Sequence, residues 1–212
     1  MLKINEIYLS VQGESSHTGL PCIFVRLTGC NLRCSWCDTA HAFYEGKKMS
    51  IDEAIQEVEK FGIKLVEVTG GEPLMQENVF PFMQKLLDKD YKVMLETGGS
   101  LSLEKVPEKV IKIMDLKCPG SGEQEKNNFD NLKFLSSHDE VKFVILDRKD
   151  YEWSRETINK YKISETSQVL LSPVFDKLEL KELTKWILED RLHVRLQTQL
   201  HKIIWDKNTI GV

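Results

Sequence analysis

An α/β fold, built as a partial, open parallel β/α barrel of about six βα units, is what the sequence predicts. Two patterns carry that expectation. Short apolar, β-branched runs alternate with amphipathic helical stretches along the chain, which calls for right-handed crossovers and a parallel sheet. Polar and glycine-rich signatures also fall almost entirely where the predicted strands end, and in parallel α/β folds those ends share one functional face. At 212 residues and 41% hydrophobic content the chain can bury one substantial core. No linker interrupts it, so residues 1–212 are expected to form a single domain.

The first strand is expected at 22–27 (CIFVRL), ending at Thr28-Gly29. Ser50 and Glu53 form a capping-box signature, and Ile51, Ala54, Ile55, Val58 and Phe61 recur at helical spacing until Gly62 stops them. A strand at 65–68, a helix at 78–87, a strand at 92–95, a short helical turn and a strand at 110–114 follow. Helix 129–135 then precedes strand 141–146, helix 151–161 precedes strand 168–171, and helix 178–188 precedes strand 193–196. Residues 119–128 (PGSGEQEKNN) lack apolar periodicity and read as a loop over a site.

Composition narrows the function. A formal net charge of −4 and a pI near 5.8, with basic residues scattered among acids, argue against a nucleic-acid partner. Asn5 and Glu6 interrupt the apolar residues of MLKINEIYLS, which therefore reads as neither signal peptide nor membrane span, and a soluble, cytoplasmic protein is expected. Five cysteines, three of them within eight residues, suit metal or redox chemistry better than a disulfide framework.

Cys30, Cys34 and Cys37 stand in GCNLRCSWCDT with the spacing Cys-x3-Cys-x2-Cys. One loop can thereby present three thiolates to three irons of a cubane and leave the fourth iron open to a substrate ligand, whereas a pure electron carrier wants four cysteines. Three other readings fit some of the same residues. Structural zinc would add His41 to the three thiolates. A ferredoxin-like carrier would recruit Cys22 or Cys118 as fourth ligand, although Cys22 lies in a predicted strand, where packing is its ordinary role. A reactive-thiol enzyme would need only one or two of the three cysteines.

The cysteine loop, with aromatic Trp36 before its third cysteine, resembles the cluster loop of the radical S-adenosylmethionine superfamily. TGGEP at 69–73 is similar to that superfamily's Gly-Gly-Glu motif, which holds the methionyl amino group. Ser10-Val11-Gln12-Gly13-Glu14, Arg26, Cys37-Asp38-Thr39, QLHKIIW at 199–205 and the terminal Gly211-Val212 resemble the 7-carboxy-7-deazaguanine synthase family. The resemblance implies a barrel of the radical S-adenosylmethionine type. It also implies the radical ring contraction of 6-carboxy-5,6,7,8-tetrahydropterin, with release of ammonia, on the route to queuosine and archaeosine. A 4Fe-4S cluster, S-adenosylmethionine and Mg2+ would be the cofactors, a flavodoxin-like protein the reductant, and a homodimer the assembly. Carried over by motif, Val11, Gln12, Gly13, Arg26 and Thr69 would face the pterin, with His201 and the carboxylate of Val212 as further candidates. Trp36, Cys37, Asp38, Gly71, Glu72, Asp115, Leu116, Lys117 and Ser172 would contact S-adenosylmethionine, and Thr39 would bind magnesium.

Physical chemistry supports several of these roles independently. A carboxylated bicycle needs a cation, and the Arg26 guanidinium can meet a carboxylate with two parallel hydrogen bonds, although a salt-bridged arginine is the plainer alternative. Magnesium prefers oxygen donors and takes few from protein, so one Thr39 hydroxyl is chemically suitable; satisfying nearby backbone is its ordinary use. Glu72 can accept from an ammonium group or brace its loop. His201 suits burial as well as catalysis, and Asp115-Leu116-Lys117 could be simply a charged strand end. Relatives carry Gly where this chain has Ser15, so the turn there is expected to differ if a positive φ is needed. The competing functions are an activase of a glycyl radical enzyme, which would need a protein-docking surface, and a zinc-stabilised binding module.

Overall fold

The computed structural model describes residues 1–207 and 209–211. In chain order the elements are β1 (Leu2–Val11), β2 (Pro21–Leu27), β3 (Lys47–Met49), α1 (Ile51–Glu59), β4 (Leu65–Gly70), α2 (Val79–Asp88), β5 (Lys92–Thr97) and β6 (Ile111–Asp115). They continue with β7 (Glu140–Ile145), α3 (Arg148–Tyr161), α4 (Ile163–Thr166), β8 (Gln168–Pro173), α5 (Leu180–Glu189), β9 (Arg195–Leu196) and α6 (His201–Ile204). Among the described residues the strands form one open sheet in the order β3-β1-β2-β4-β5-β6-β7-β8-β9. Every neighbouring pair from β2 to β9 is parallel, as the alternation predicts. The expected partial, open parallel arrangement is present, extended by an antiparallel edge of β1 and β3.

Strand alternation divides the side chains between two faces. Val25 of β2, Val66 and Val68 of β4, and Val141 and Phe143 of β7 pack outward with Ala54, Val58, Phe82, Leu86, Tyr151 and Leu183 from the helices in the main core. The opposite parity points into the barrel, where Cys22, Phe24, Leu65, Met94, Ile111 and Ile113 form an apolar floor. Further along the same faces stand Arg26, Glu67, Thr69, Glu96, Asp115 and Lys142. Helix α1 shows why local sequence suffices on the outer layer: Glu53 N–H donates to Ser50 Oγ at 3.1 Å and Ser50 N–H to Glu53 Oε2 at 2.7 Å. The capping box thus starts the helix, and burial of Ile55 and Val58, roughly 1.5–3 kcal/mol apiece, holds it down.

Several elements depart from expectation. No helix occupies 98–110, and 129–135 forms only the 3-10 turn Phe129–Phe134. Residues 119–128 are two tight turns, Pro119–Ser121 and Gln124–Lys126. The barrel's open side is closed by the β1–β2 connection, which crosses the lumen. Ser16 N–H reaches Glu140 Oε1 at 3.0 Å, Ser15 N–H reaches Gln197 Oε1 at 2.7 Å, and Leu200 N–H bonds Gly13 O at 2.9 Å.

Ser15 sits in that connection at φ 64°, a left-handed conformation taken up by serine. Its Oγ accepts from His17 N–H at 3.1 Å, an offset for the left-handed conformation that costs a side chain about 1–2 kcal/mol. Ser15→Gly removes both terms and loosens the unfolded chain, so the denaturation midpoint should shift by less than about 1 kcal/mol in free energy. A loss well beyond that in a urea titration would contradict this balance.

Candidate active site

The loops leaving β2, β4, β5 and β6 meet at one end of the sheet. Cys30, Cys34 and Cys37 lie just beyond β2, the first two half-buried and the third exposed. Burial raises the pKa of Cys30 and Cys34, and the Lys117 ammonium opposes that rise at both. Neither remaining cysteine can join them. Cys22 belongs to the lumen floor, and Cys118 is 1% exposed with its Sγ 3.3 Å from Ser154 Oγ. His41 turns to Glu6, with Nε2 3.5 Å from Oε1. Among the described residues no three His, Cys, Asp or Glu side chains are gathered to chelate a single ion. A three-thiol set without a fourth cysteine fits a 4Fe-4S cluster with one open iron.

The Gly-Gly-Glu loop is fastened against this loop. Gly71 N–H donates to Leu27 O at 3.2 Å and Glu72 N–H to Gly29 O at 2.7 Å. A Cβ on Gly71 would stand 2.2 Å from Gly29 O and 2.7 Å from the Cys30 Cβ, so only glycine permits the approach. Glu72 is fully buried and its carboxylate accepts from Leu74 N–H at 3.0 Å, Thr97 Oγ1 at 2.9 Å and Gly98 N–H at 2.7 Å. Of its two expected roles the structure gives it the bracing one: it ties the loop after β4 to the loop after β5.

The other expected cofactor residues divide. Trp36 is half-buried beside Cys37, and Ser172 is buried on the lumen face of β8. Asp115 Oδ2 lies 2.9 Å from Lys117 Nζ, and its Oδ1 is buried without a hydrogen-bond partner among the described residues. An orphaned carboxylate oxygen on this face is an open acceptor for a ligand. The Leu116 side chain is buried in the main core on the helical side, which leaves its backbone for any contact with the cofactor. Asp38 accepts from Lys202 Nζ at 2.7 Å and Gln199 Nε2 at 3.3 Å, and Thr39 Oγ1 donates to Asp38 Oδ1 at 3.0 Å. Crowding disfavours the Asp38 charge, yet Lys202 outweighs it and holds the carboxyl below the usual range.

The substrate candidates gather on the lumen side. Arg26 and Thr69 are register partners on β2 and β4 and share a face. Arg26 is braced: Nε donates to Glu6 Oε1 at 2.6 Å and Nη2 to Tyr8 Oη at 2.9 Å. The buried Gln12 amide donates to Glu67 and accepts from Glu14 N–H at 2.8 Å. Val11 ends β1 at the start of this loop. Gly13 lies directly under His201, whose Nδ1 is 2.3 Å from where a Gly13 Cβ would be. Burial lowers the His201 pKa, which favours the neutral imidazole. Val212 lies outside the described residues.

A charged group on the lumen wall escaped the sequence reading. Lys142 Nζ lies 2.9 Å from Glu14 Oε2 and 3.8 Å from Asp115 Oδ2, and it also pairs with Glu96. Burial opposes its charge, but these carboxylates hold its pKa well above the ordinary lysine value. Glu67 takes the opposite course: burial, then the charges of Glu96 and Glu14, push its carboxyl well above the usual range. A charged residue between buried apolar neighbours in a strand, as in Val66-Glu67-Val68 and Val141-Lys142-Phe143, was the available signal.

The model of the radical SAM superfamily matches residues 24–187. The 7-carboxy-7-deazaguanine synthase of Koribacter versatilis is 50% identical over the whole of both chains. That of Chlorobaculum tepidum is 43% identical and covers all of this chain and 97% of its own. The crystal structure of QueE from Escherichia coli superimposes with a TM-score of 0.78 over 94% of each chain at 22% identity, a likeness of fold. The thiol set, the glycine approach beside it and full-length identity of this extent lead to one conclusion: the chain belongs to the radical SAM superfamily and, within it, to the 7-carboxy-7-deazaguanine synthase family.

Proposed function

We propose that the chain, as a single domain, converts 6-carboxy-5,6,7,8-tetrahydropterin to 7-carboxy-7-deazaguanine with release of ammonia. The observation that carries it is the placement of a three-thiol loop over a buried lumen holding Arg26, Thr69 and Lys142. A 4Fe-4S cluster on Cys30, Cys34 and Cys37, with S-adenosylmethionine on its open iron, would supply one-electron, hydrogen-abstracting chemistry. The chain's own residues do the rest by position. Lys117 offsets part of the burial that disfavours the Cys30 and Cys34 thiolates, Glu72 fixes the glycine loop against them, and Asp115 Oδ1 is the open acceptor. Buried Gln12, Thr69 and Lys142 wall the lumen from water, which protects a reactive intermediate. The Thr39 hydroxyl offers magnesium a hard oxygen donor, with the substrate carboxylate as a further donor, and Asp38 accepts from that hydroxyl. A flavodoxin-class reductant and a homodimer complete the proposal.

Arg26 uses Nε and Nη2 on Glu6 and Tyr8, which leaves Nη1 for the substrate carboxylate. Arg26→Ala should therefore depress product formation by about tenfold or more while S-adenosylmethionine is still cleaved without coupling. Normal pterin turnover in this variant would remove the role. The parent assay is anaerobic reconstitution with iron and sulfide, then S-adenosylmethionine, dithionite, magnesium and the pterin, with mass spectrometry of products. Formation of 7-carboxy-7-deazaguanine is expected; 5′-deoxyadenosine without it would overturn the substrate, and a colourless zinc protein would overturn the chemistry.

A further inference from the structure

The cysteine loop makes few hydrogen bonds within itself. Cys37 N–H donates to Cys34 O at 3.2 Å, Leu32 N–H to Cys30 Sγ at 3.4 Å, and Arg33 Nη1 to Cys30 O and Leu32 O at 2.8 and 2.6 Å. A loop bonded this sparsely would sample many separations of its thiols unless something outside held it. The segment that follows β6 meets it on both sides of Cys34. Arg33 N–H donates to Glu123 Oε1 at 2.6 Å, Ser35 N–H to Ser121 O at 3.0 Å, and Ser35 Oγ to Gly120 O at 2.8 Å.

That segment is itself pinned. Gly120 N–H donates to Asp150 Oδ1 of α3 at 2.8 Å, and a Cβ at Gly120 would stand 2.8 Å from Asp150 Oδ2, so a larger residue would have to push that carboxylate aside. Ser121 Oγ donates to Cys118 O at 2.6 Å and accepts from Glu123 N–H at 3.1 Å. Lys126 Nζ lies 2.8 Å from Glu123 Oε2. Asn127 closes the segment by bonding both Lys117 N–H, at 2.8 Å, and Lys117 O, at 2.9 Å. One stretch of chain therefore fixes the backbone on both sides of the second cysteine and is itself closed on the backbone of Lys117.

We propose that residues 118–127 are a clasp that sets the geometry of the cluster loop, with Glu123 as its positioning residue. Glu123 acts on the cluster loop through the Arg33 amide rather than through a thiol. Its carboxylate, 7% exposed and paired with Lys126, gives the Arg33 amide a charge-assisted acceptor shielded from water. The proposal rests on the reading that Cys30, Cys34 and Cys37 hold the cluster.

The test compares the parent chain, Glu123→Ala, Glu123→Gln and Ser35→Ala after anaerobic reconstitution. Iron and sulfide per chain, the rate of iron release to a chelator, and the electron paramagnetic resonance spectrum of the reduced cluster are measured, with thermal melts of the metal-free proteins. Glu123→Ala should release iron roughly tenfold faster and broaden the spectrum, Glu123→Gln should recover most of the difference, and the metal-free melts should stay close. Wild-type release and an unchanged spectrum in Glu123→Ala would overturn the clasp. If Glu123→Ala does not fold, Ser35→Ala decides, since it deletes one exposed hydroxyl: faster release supports the clasp and parental release overturns it. A parent chain that takes up no iron would sink the cluster assignment instead, a result separable from either outcome.

Discussion

Gly71→Ala is expected to cut S-adenosylmethionine cleavage by about a hundredfold or more and to lower the iron retained after reconstitution. The new methyl would lie 2.2 Å from Gly29 O and 2.7 Å from the Cys30 Cβ. Both obstacles are backbone or the first atom of a side chain, so neither can swing aside. Relief requires the two loops to part by about an ångström, and such displacements of reacting groups cost about two orders of magnitude in rate. Parting also breaks the bond from Glu72 N–H to Gly29 O, which is 2.7 Å, and misaligns the cysteine nearest it. Gly98→Ala is the matched control. Its Cβ would meet the Leu32 Cδ1 at 2.9 Å, the far end of a flexible side chain, and a milder loss should result. Parent-like 5′-deoxyadenosine formation and iron content in Gly71→Ala would show that the loops tolerate separation.

The two glycine-bearing loops were visible in the sequence because their residue types are chemically demanding: clustered thiols, and a Gly-Gly pair before a buried glutamate. The helical layer was visible for a different reason. Helices α1, α2, α3 and α5 carry apolar residues at helical spacing against a common core, and Ser50 with Glu53 announces where α1 begins. The antiparallel edge was not visible. In β1, Leu2 and Ile4 are buried, whereas Glu6 and Tyr8 face Arg26 and Phe24 across the barrel's inner face. A strand whose inner side chains serve a polar site does not show the apolar run by which strands are recognised. Strand β3 is three residues with two exposed lysines and gives even less signal.

The same physics hid much of the site. Glu14, Glu67, Glu96 and Lys142 come from four remote segments, and nothing in any one of them points to the others. Only the register of the sheet and the loop crossing the lumen bring them together. Gln12 and Asp38, by contrast, were located from motif, but what holds them was not: Glu67 in one case and Lys202 in the other. Leu116 shows what a motif leaves out: strand alternation turns the middle side chain of its three residues into the core.

Lys142→Met should destabilise the protein by roughly 3–5 kcal/mol at neutral pH and depress turnover, because it leaves buried Asp115 and half-buried Glu14 and Glu96 without their shared cation. Methionine fills similar space, so the loss isolates charge from volume. The pH dependence follows from the shifts. Partial burial of Glu14 opposes its charge, but Lys142 and Gln199 hold its pKa below the ordinary value, so its stabilisation is complete above the unfolded pKa and is lost as pH falls through the lowered one. Lys142 has a raised pKa, so its contribution is full throughout the neutral range and fades only as pH rises through that high value. In the methionine variant Glu14 loses its cation, its pKa rises, and protonation on acidification relieves the repulsion with Glu96 and Asp115. The stability gap between parent and variant should therefore be widest near pH 7.5 and narrow toward pH 5, where roughly half or more of it should disappear. Urea titrations of the metal-free proteins at the two pH values measure the gap directly. A gap that stays constant would mean that lost packing, rather than stranded charge, is what the lysine supplies.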